Sequence, residues 1–238
     1  MPQIAGFRGV LPEPSKVKDV VAAFAAKPGG DLAKGLAAGT LVRDASRAVY
    51  RYHQAFAEPG SNRIVVRKHL VCAVKLEPWI EGVIRPHEGK VPTDQAAALA
   101  QLTTHKAMTP PVLAGFHDAP GEIERAFRRV DGERATLEVT TADRTVHRVW
   151  RVQNAELLGQ LKRSLAPKKL DVLDGHDRYE AALAYRDQLA GKRPLAQYAS
   201  ANFVVMCLVD LGDPNLAAAP RLPAGLIAMV LDPDEDLV

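Results

Sequence analysis

Cysteine is scarce: the 238 residues hold two, Cys72 and Cys207, each inside an apolar run. That excludes a disulfide-stapled scaffold, and the pair reads as buried free thiols of a reducing compartment. No stretch approaches the ~18 consecutive apolar residues of a membrane span. The opening Met-Pro-Gln-Ile-Ala-Gly-Phe-Arg has no basic region leading into an apolar one, so no signal peptide is visible and a cytoplasmic protein is expected. Charge of one sign is also lacking. Lys and Arg number 31, Asp and Glu 28, a net of +3. The densest basic clusters are Arg63, Arg67, Lys68 and Lys162, Arg163, Lys168, Lys169. Both read as solvated faces, too sparse for a nucleic-acid groove. There is no Gly-x-x-x-x-Gly-Lys-Ser/Thr, no Gly-x-Gly-x-x-Gly and no Gly-x-Ser-x-Gly, which argues against the common nucleotide folds and an α/β-hydrolase. His87, His105, His117 and His176 show no zinc-ligand spacing such as His-Glu-x-x-His, and Cys-x-x-Cys is absent.

What is present is an ordinary globular balance, 47% hydrophobic and 25% charged. The pattern predicts a mixed α/β fold. A helix is expected over 15–26, capped by Ser15, and a second over 31–38. Residues 49–56 and 64–76 read as an antiparallel hairpin with a bend near Arg67-Lys68. Residues 81–91 read as a loop. A helix capped by Thr93 or Asp94 runs to about Lys106, followed by a short strand over 111–116. A hairpin spans 134–152, a helix 154–164, a strand 170–173, a helix 178–190 and strands 201–211 and 225–231. With no repeat and no low-complexity linker, residues 1–238 read as one interleaved domain.

Two motifs carry the chemistry. In Val172-Leu173-Asp174-Gly175-His176-Asp177-Arg178-Tyr179-Glu180 an apolar strand meets a glycine turn and then a helix. Such a junction exposes backbone N–H groups at a helix N-terminus, where the dipole favours an anion. Gly175 lets phosphate approach, Arg178 offers a two-pronged donor and His176 a further hydrogen bond. Asp174 either orients His176, holds a metal or caps the helix, and Arg178 either grips phosphate or pairs with Asp177 or Glu180. The second motif is Val83-Ile84-Arg85-Pro86-His87-Glu88-Gly89-Lys90. Here Glu88 suits a general base, or a metal ligand with His87, and Lys90 suits phosphate neutralisation. A plain polar loop is the competing reading.

The two motifs together resemble those of a large uncharacterised bacterial family, the domain of unknown function 1015. Its Asp-Gly-His-His-Arg-Tyr-Glu signature matches residues 174–180, and its Pro-His-Glu motif matches Pro86-His87-Glu88. Thr109-Pro110-Pro111-Val112-Leu113 matches its next strand, and family-like sequence runs from about Ile84 to Asp210. That family is in turn similar to the ParB/sulfiredoxin-like superfamily, which includes ADP- or ATP-dependent free-serine kinases. The resemblance implies a ParB/sulfiredoxin-like core in which Gly175, His176, Asp177, Arg178 and Lys90 hold nucleotide phosphates with Mg²⁺. It implies that Glu88 takes the proton of a hydroxyl acceptor such as serine, beside His87 and Asp174. One departure stands out: the signature's second histidine is Asp177 here, which adds negative charge at the phosphate site. The alternatives are a non-catalytic nucleotide- or phosphate-sensing module and, more weakly, a ParB-like DNA-binding protein.

Overall fold

The computed structural model describes residues 1–25, 30–87, 94–216, 227–232 and 235–237. The chain forms a mixed α/β architecture with two sheets. In chain order the elements are β1 (Ile4–Ala5), β2 (Gly9–Pro12), α1 (Val20–Ala25), α2 (Gly30–Ala38), β3 (Leu41–Arg43), β4 (Val49–Ala57) and β5 (Ile64–Lys75). They continue with β6 (Ile84–Pro86), α3 (Gln95–His105), β7 (Ala107–Met108), β8 (Val112–Phe116), α4 (Glu122–Asp131), β9 (Leu137–Thr140), β10 (Val146–Val152), α5 (Ala155–Leu165), β11 (Leu170–Asp174), α6 (His176–Ala190), β12 (Phe203–Asp210) and β13 (Ala228–Val230).

The larger sheet has the order β6-β11-β8-β12-β5-β4-β10-β9. Its hairpin half is antiparallel, while β6–β11 and β8–β12 run parallel. The organising strand is β5, whose apolar centre, Leu70 to Val74, is wholly buried. Along one edge it pairs with β12, from Phe203↔Lys75 to Leu208↔Leu70. Along the other it pairs with β4 up to Tyr50↔Val71, and β1 continues at Ala5↔Ala73 and Ile4↔Val74. β5 runs unbroken through Arg67 and Lys68. Cys72 and Cys207 are buried free thiols, and burial pushes both thiols up from their ordinary range.

The smaller sheet, β3-β2-β13-β7, stands against the hairpin half. Tyr50 joins the two: its hydroxyl accepts from Gly9 N at 2.8 Å and donates to the buried Asp44 carboxylate, and Phe7 packs on its ring at 5.2 Å.

The charged residues of β4 and β5 correct the sequence reading. Alternation turns Arg51 into the interior, where it is 1% exposed. It is held by Asp131 at 2.9 and 3.1 Å and by Glu124 at 2.7 Å, and it lies 4.7 Å over the Phe127 ring. Lys68 and His53 join the same carboxylates. Arg67, expected on a solvated face, is 4% exposed and donates to Gln54 Oε1 at 2.6 Å. A buried cation is stable only with such partners, because an unpaired one pays its whole desolvation cost. The carboxylates come from α4, an amphipathic helix that composition alone did not signal.

The first helix also begins later than expected, at Val20. Ser15 donates to Glu13 instead of capping, and Asp19 accepts from Ala22 N at 2.9 Å. Among the described residues no helix is long and apolar enough to cross a membrane.

Candidate functional site

The turn forms because β11 ends on a glycine in a conformation few other residues adopt. Gly175 has φ +88° and ψ +31° and is the N-cap of α6, with no side chain capping the helix. The first helical bond runs from Tyr179 N to Gly175 O at 2.9 Å. The N–H groups of His176, Asp177 and Arg178 lie ahead of it, the usual orphan donors of a helix start. The helix therefore begins at His176, two residues earlier than periodicity suggested, and Asp174 is not its cap.

Asp174 instead pairs with Arg178. Arg178 Nη2 donates to Asp174 Oδ2 at 2.9 Å, and Arg178 Nη1 lies 3.9 Å from Asp177 Oδ1. The guanidinium folds back over the turn so closely that a Cβ on Gly175 would sit 2.5 Å from Nη2 and 2.8 Å from Cζ. Glycine is required for φ, and a β-carbon would also push the guanidinium off the turn. Arg178 Nε and His176 Nε2 are shielded from solvent and meet no protein partner. The partner the structure gives Arg178 is Asp174, which the sequence did not offer; Asp177, which it did, stands farther off at 3.9 Å, and Nε has no hydrogen-bond partner.

The signature divides between two directions. The His176 ring neighbours Trp79, at 6.4 Å between centroids, while Tyr179 packs on Trp79 at 4.3 Å. The Tyr179 hydroxyl donates to Glu77 O at 2.6 Å and accepts from Glu77 N at 3.1 Å. This tyrosine fixes the segment that carries Trp79, and burial pushes its hydroxyl up from the ordinary range. Asp177 and Arg178 face the other way. They line a cavity of about 350 Å³ between α3, α6 and the segment 107–112, with Leu102, Val112, Val204 and Val205 as its apolar walls.

The second motif lies beside the first. β6, expected as loop, pairs parallel with β11 through Ile84↔Leu170, Arg85↔Asp171 and Pro86↔Val172. Arg85 grips Asp171 in a two-pronged pair, with bonds of 2.8 and 2.9 Å. His87 N then donates to Val172 O at 3.0 Å. Two parallel neighbours end at the same side of a sheet, so His87 and Asp174 leave the sheet at one end. The His87 side chain is exposed. Glu88 and Lys90 lie outside the described residues.

Among the described residues no three His, Cys, Asp or Glu side chains gather into a metal cage. Asp174 and Asp177 are the carboxylates of the turn. Of the cavity residues on or capping α3, Asp94 entered the sequence reading only as a cap, which it is, and His105 only among the histidines without zinc spacing; Ala98 and Gln101 were not singled out. A helix rich in alanine reads as ordinary until its partner is known.

A family model described as "Protein of unknown function (DUF1015)" matches residues 10–221. The match reaches well toward the N-terminus of the stretch from Ile84 to Asp210 that carries the motifs. No curated protein and no solved structure gives a match.

Proposed function

We propose, from the premise that the chain belongs to the DUF1015 family, that it binds nucleotide phosphates at the Asp174–Arg178 turn and acts as a small-molecule kinase. The observation that carries the reading is the convergence of the two motifs: His87 N bonds to Val172 O, two residues before Asp174, on neighbouring parallel strands. A base after β6 and a phosphate seat after β11 would thereby share one end of the sheet. The α6 N–H groups and the Arg178 guanidinium suit phosphate oxygens.

In this reading the nucleotide is ADP or ATP and the acceptor is a small hydroxyl compound such as free serine. The acceptor oxygen bonds to the terminal phosphorus as the bond to the departing nucleotide breaks, and the hydroxyl proton passes to Glu88. Positioning and charge neutralisation supply most of the acceleration in such transfers. Mg²⁺ is usually held by one or two carboxylates together with phosphate oxygens, and Asp174 and Asp177 fit that role. The ParB/sulfiredoxin-like kinship belongs to the same proposal.

The second reading is a nucleotide sensor without turnover. It is favoured by the observation that Arg178 is already neutralised by Asp174, with Asp177 close by. Titration calorimetry of ADP and ATP with Mg²⁺ against the wild type and Arg178→Ala tests the phosphate seat; binding that the variant leaves intact refutes it. Glu88→Gln separates the two readings. Loss of phosphotransfer with binding retained identifies the kinase, and binding without turnover in the wild type identifies the sensor.

A further inference from the structure

The cavity between α3 and α6 opens where α3 presents alanines. Ala97 and Ala98, with Ala181 on α6, leave space that larger side chains would close. Its depth is apolar, formed by Leu102, Val112, Val204 and Val205. Arg178 stands at one side, with Asp177, and Gln101 and His105 of α3 supply amide and imidazole groups. The arginine does not make this place strongly cationic, because Asp174 takes one of its donors at 2.9 Å and Asp177 stands 3.9 Å away. A phosphate group alone would meet a largely cancelled charge in water, where such attractions are weak. Tight binding must therefore draw on the apolar space beside it.

We infer that this cavity seats the organic body of the ligand, and that the ligand class is a nucleoside phosphate with its base between α3 and α6. A flat heterocycle presents apolar faces to Leu102, Val112 and Val204. Its edge carries both donors and acceptors, which Gln101, able to donate and accept, complements. The attached phosphate reaches Arg178 and the start of α6. This inference rests on the phosphate reading of the turn, and it assigns specificity to α3, which the family signature does not include.

The test compares ADP with inorganic pyrophosphate by titration calorimetry, both with Mg²⁺, in the wild type, Ala98→Phe and Ala97→Phe. Ala97 is exposed, so its substitution disturbs no packing and guards against a misfolded Ala98 variant; melting curves check both. ADP should bind the wild type at least about tenfold more tightly than pyrophosphate, as burial of a heterocycle implies. Both substitutions should remove that advantage and leave pyrophosphate affinity unchanged. Equal affinity for ADP and pyrophosphate in the wild type, with both weakened by Arg178→Ala, overturns the cavity assignment and leaves the phosphate seat standing. Variants that weaken pyrophosphate as much as ADP overturn it too. Failure of both ligands to bind the wild type removes the phosphate reading itself.

Discussion

Arg178 Nη2 lies 2.9 Å from Asp174 Oδ2, one helical turn back across Gly175, so the guanidinium charge at the turn is largely cancelled by a neighbouring carboxylate. The Asp174 side chain is 73% exposed, so the pair adds little to stability, about 0–1 kcal/mol. Asp174→Asn should therefore leave the melting temperature almost unchanged. It should strengthen pyrophosphate binding without Mg²⁺, because the guanidinium is released. It should also reduce the gain from added Mg²⁺. Calorimetry at two Mg²⁺ concentrations reads both effects, and pyrophosphate affinity that stays constant without Mg²⁺ counts against the neutralising role.

Gly175→Ala meets two penalties at once. A left-handed φ of +88° strains any β-carbon-bearing residue by about 1–2 kcal/mol, and the new carbon collides with Arg178. The variant should melt several degrees lower and bind phosphate far more weakly. Arg178→Ala combined with Gly175→Ala should recover part of the melting temperature, since the collision is then gone.

Tyr179 belongs to the signature yet serves structure. Tyr179→Phe leaves the Glu77 backbone N–H and carbonyl without the hydroxyl that serves both. A destabilisation of about 1–3 kcal/mol is expected, the penalty for unsatisfied polar groups. Denaturant melts should show it, with nucleotide affinity per folded molecule unaltered. A loss of affinity without a loss of stability would reassign the tyrosine to the ligand.

Acid should weaken the fold in two stages. Burial lowers His147 to about 4, against an ordinary value near 6.5. The unfolded chain then binds a proton that the folded chain refuses, so stability falls as pH drops below about 6.5 and this loss levels off near 4. Asp131 adds the second stage. Burial would raise its carboxyl, but His53 and Arg51 outweigh that and hold it well below the usual carboxylate range. Its contribution is present above the ordinary carboxylate value and is lost below it. Melting temperatures from pH 8 to pH 3 should slope accordingly, and His147→Gln should make the upper stage shallower, the rest of it coming from His53 and His69, which burial also lowers. Asp131→Ala should destabilise the fold at neutral pH, because buried Arg51 then keeps Glu124 as its one remaining carboxylate partner.

Much of the fold was legible because period-2 and helical patterns are written in apolar residues. β4, β5, β10, β12, α3, α5 and α6 all fall close to where their patterns place them. The α4 helix carries a helical period in Ile123, Ala126, Phe127 and Val130, but the sequence reading did not place it. Its meaning resides in Arg51, some 80 residues away. β6 escaped as well: three residues ending in proline have no pattern of their own, and they are a strand only because β11 lies beside them. At the site, the strand–turn–helix junction followed from Asp174-Gly175 and the apolar residues around it. The Arg178–Asp174 pairing did not, because it turns on the left-handed conformation of Gly175 between them, and the α3 cavity did not, because it depends on how α3 and α6 pack together.

The position of β12 has a consequence for how the protein is made. Among the described residues it alone joins the β6-β11-β8 half of the larger sheet, which carries the turn, to the half built on β5. It is also the last strand of that sheet to be synthesised. Until residues 203–210 emerge, the hairpin of β4 and β5 and the strand pair that presents Asp174 have no shared hydrogen-bond ladder. Closure across so long a separation is entropically slow. A ribosome-bound chain cut off before Phe203 should hold the two halves as separate nascent pieces, joined only once β12 has emerged.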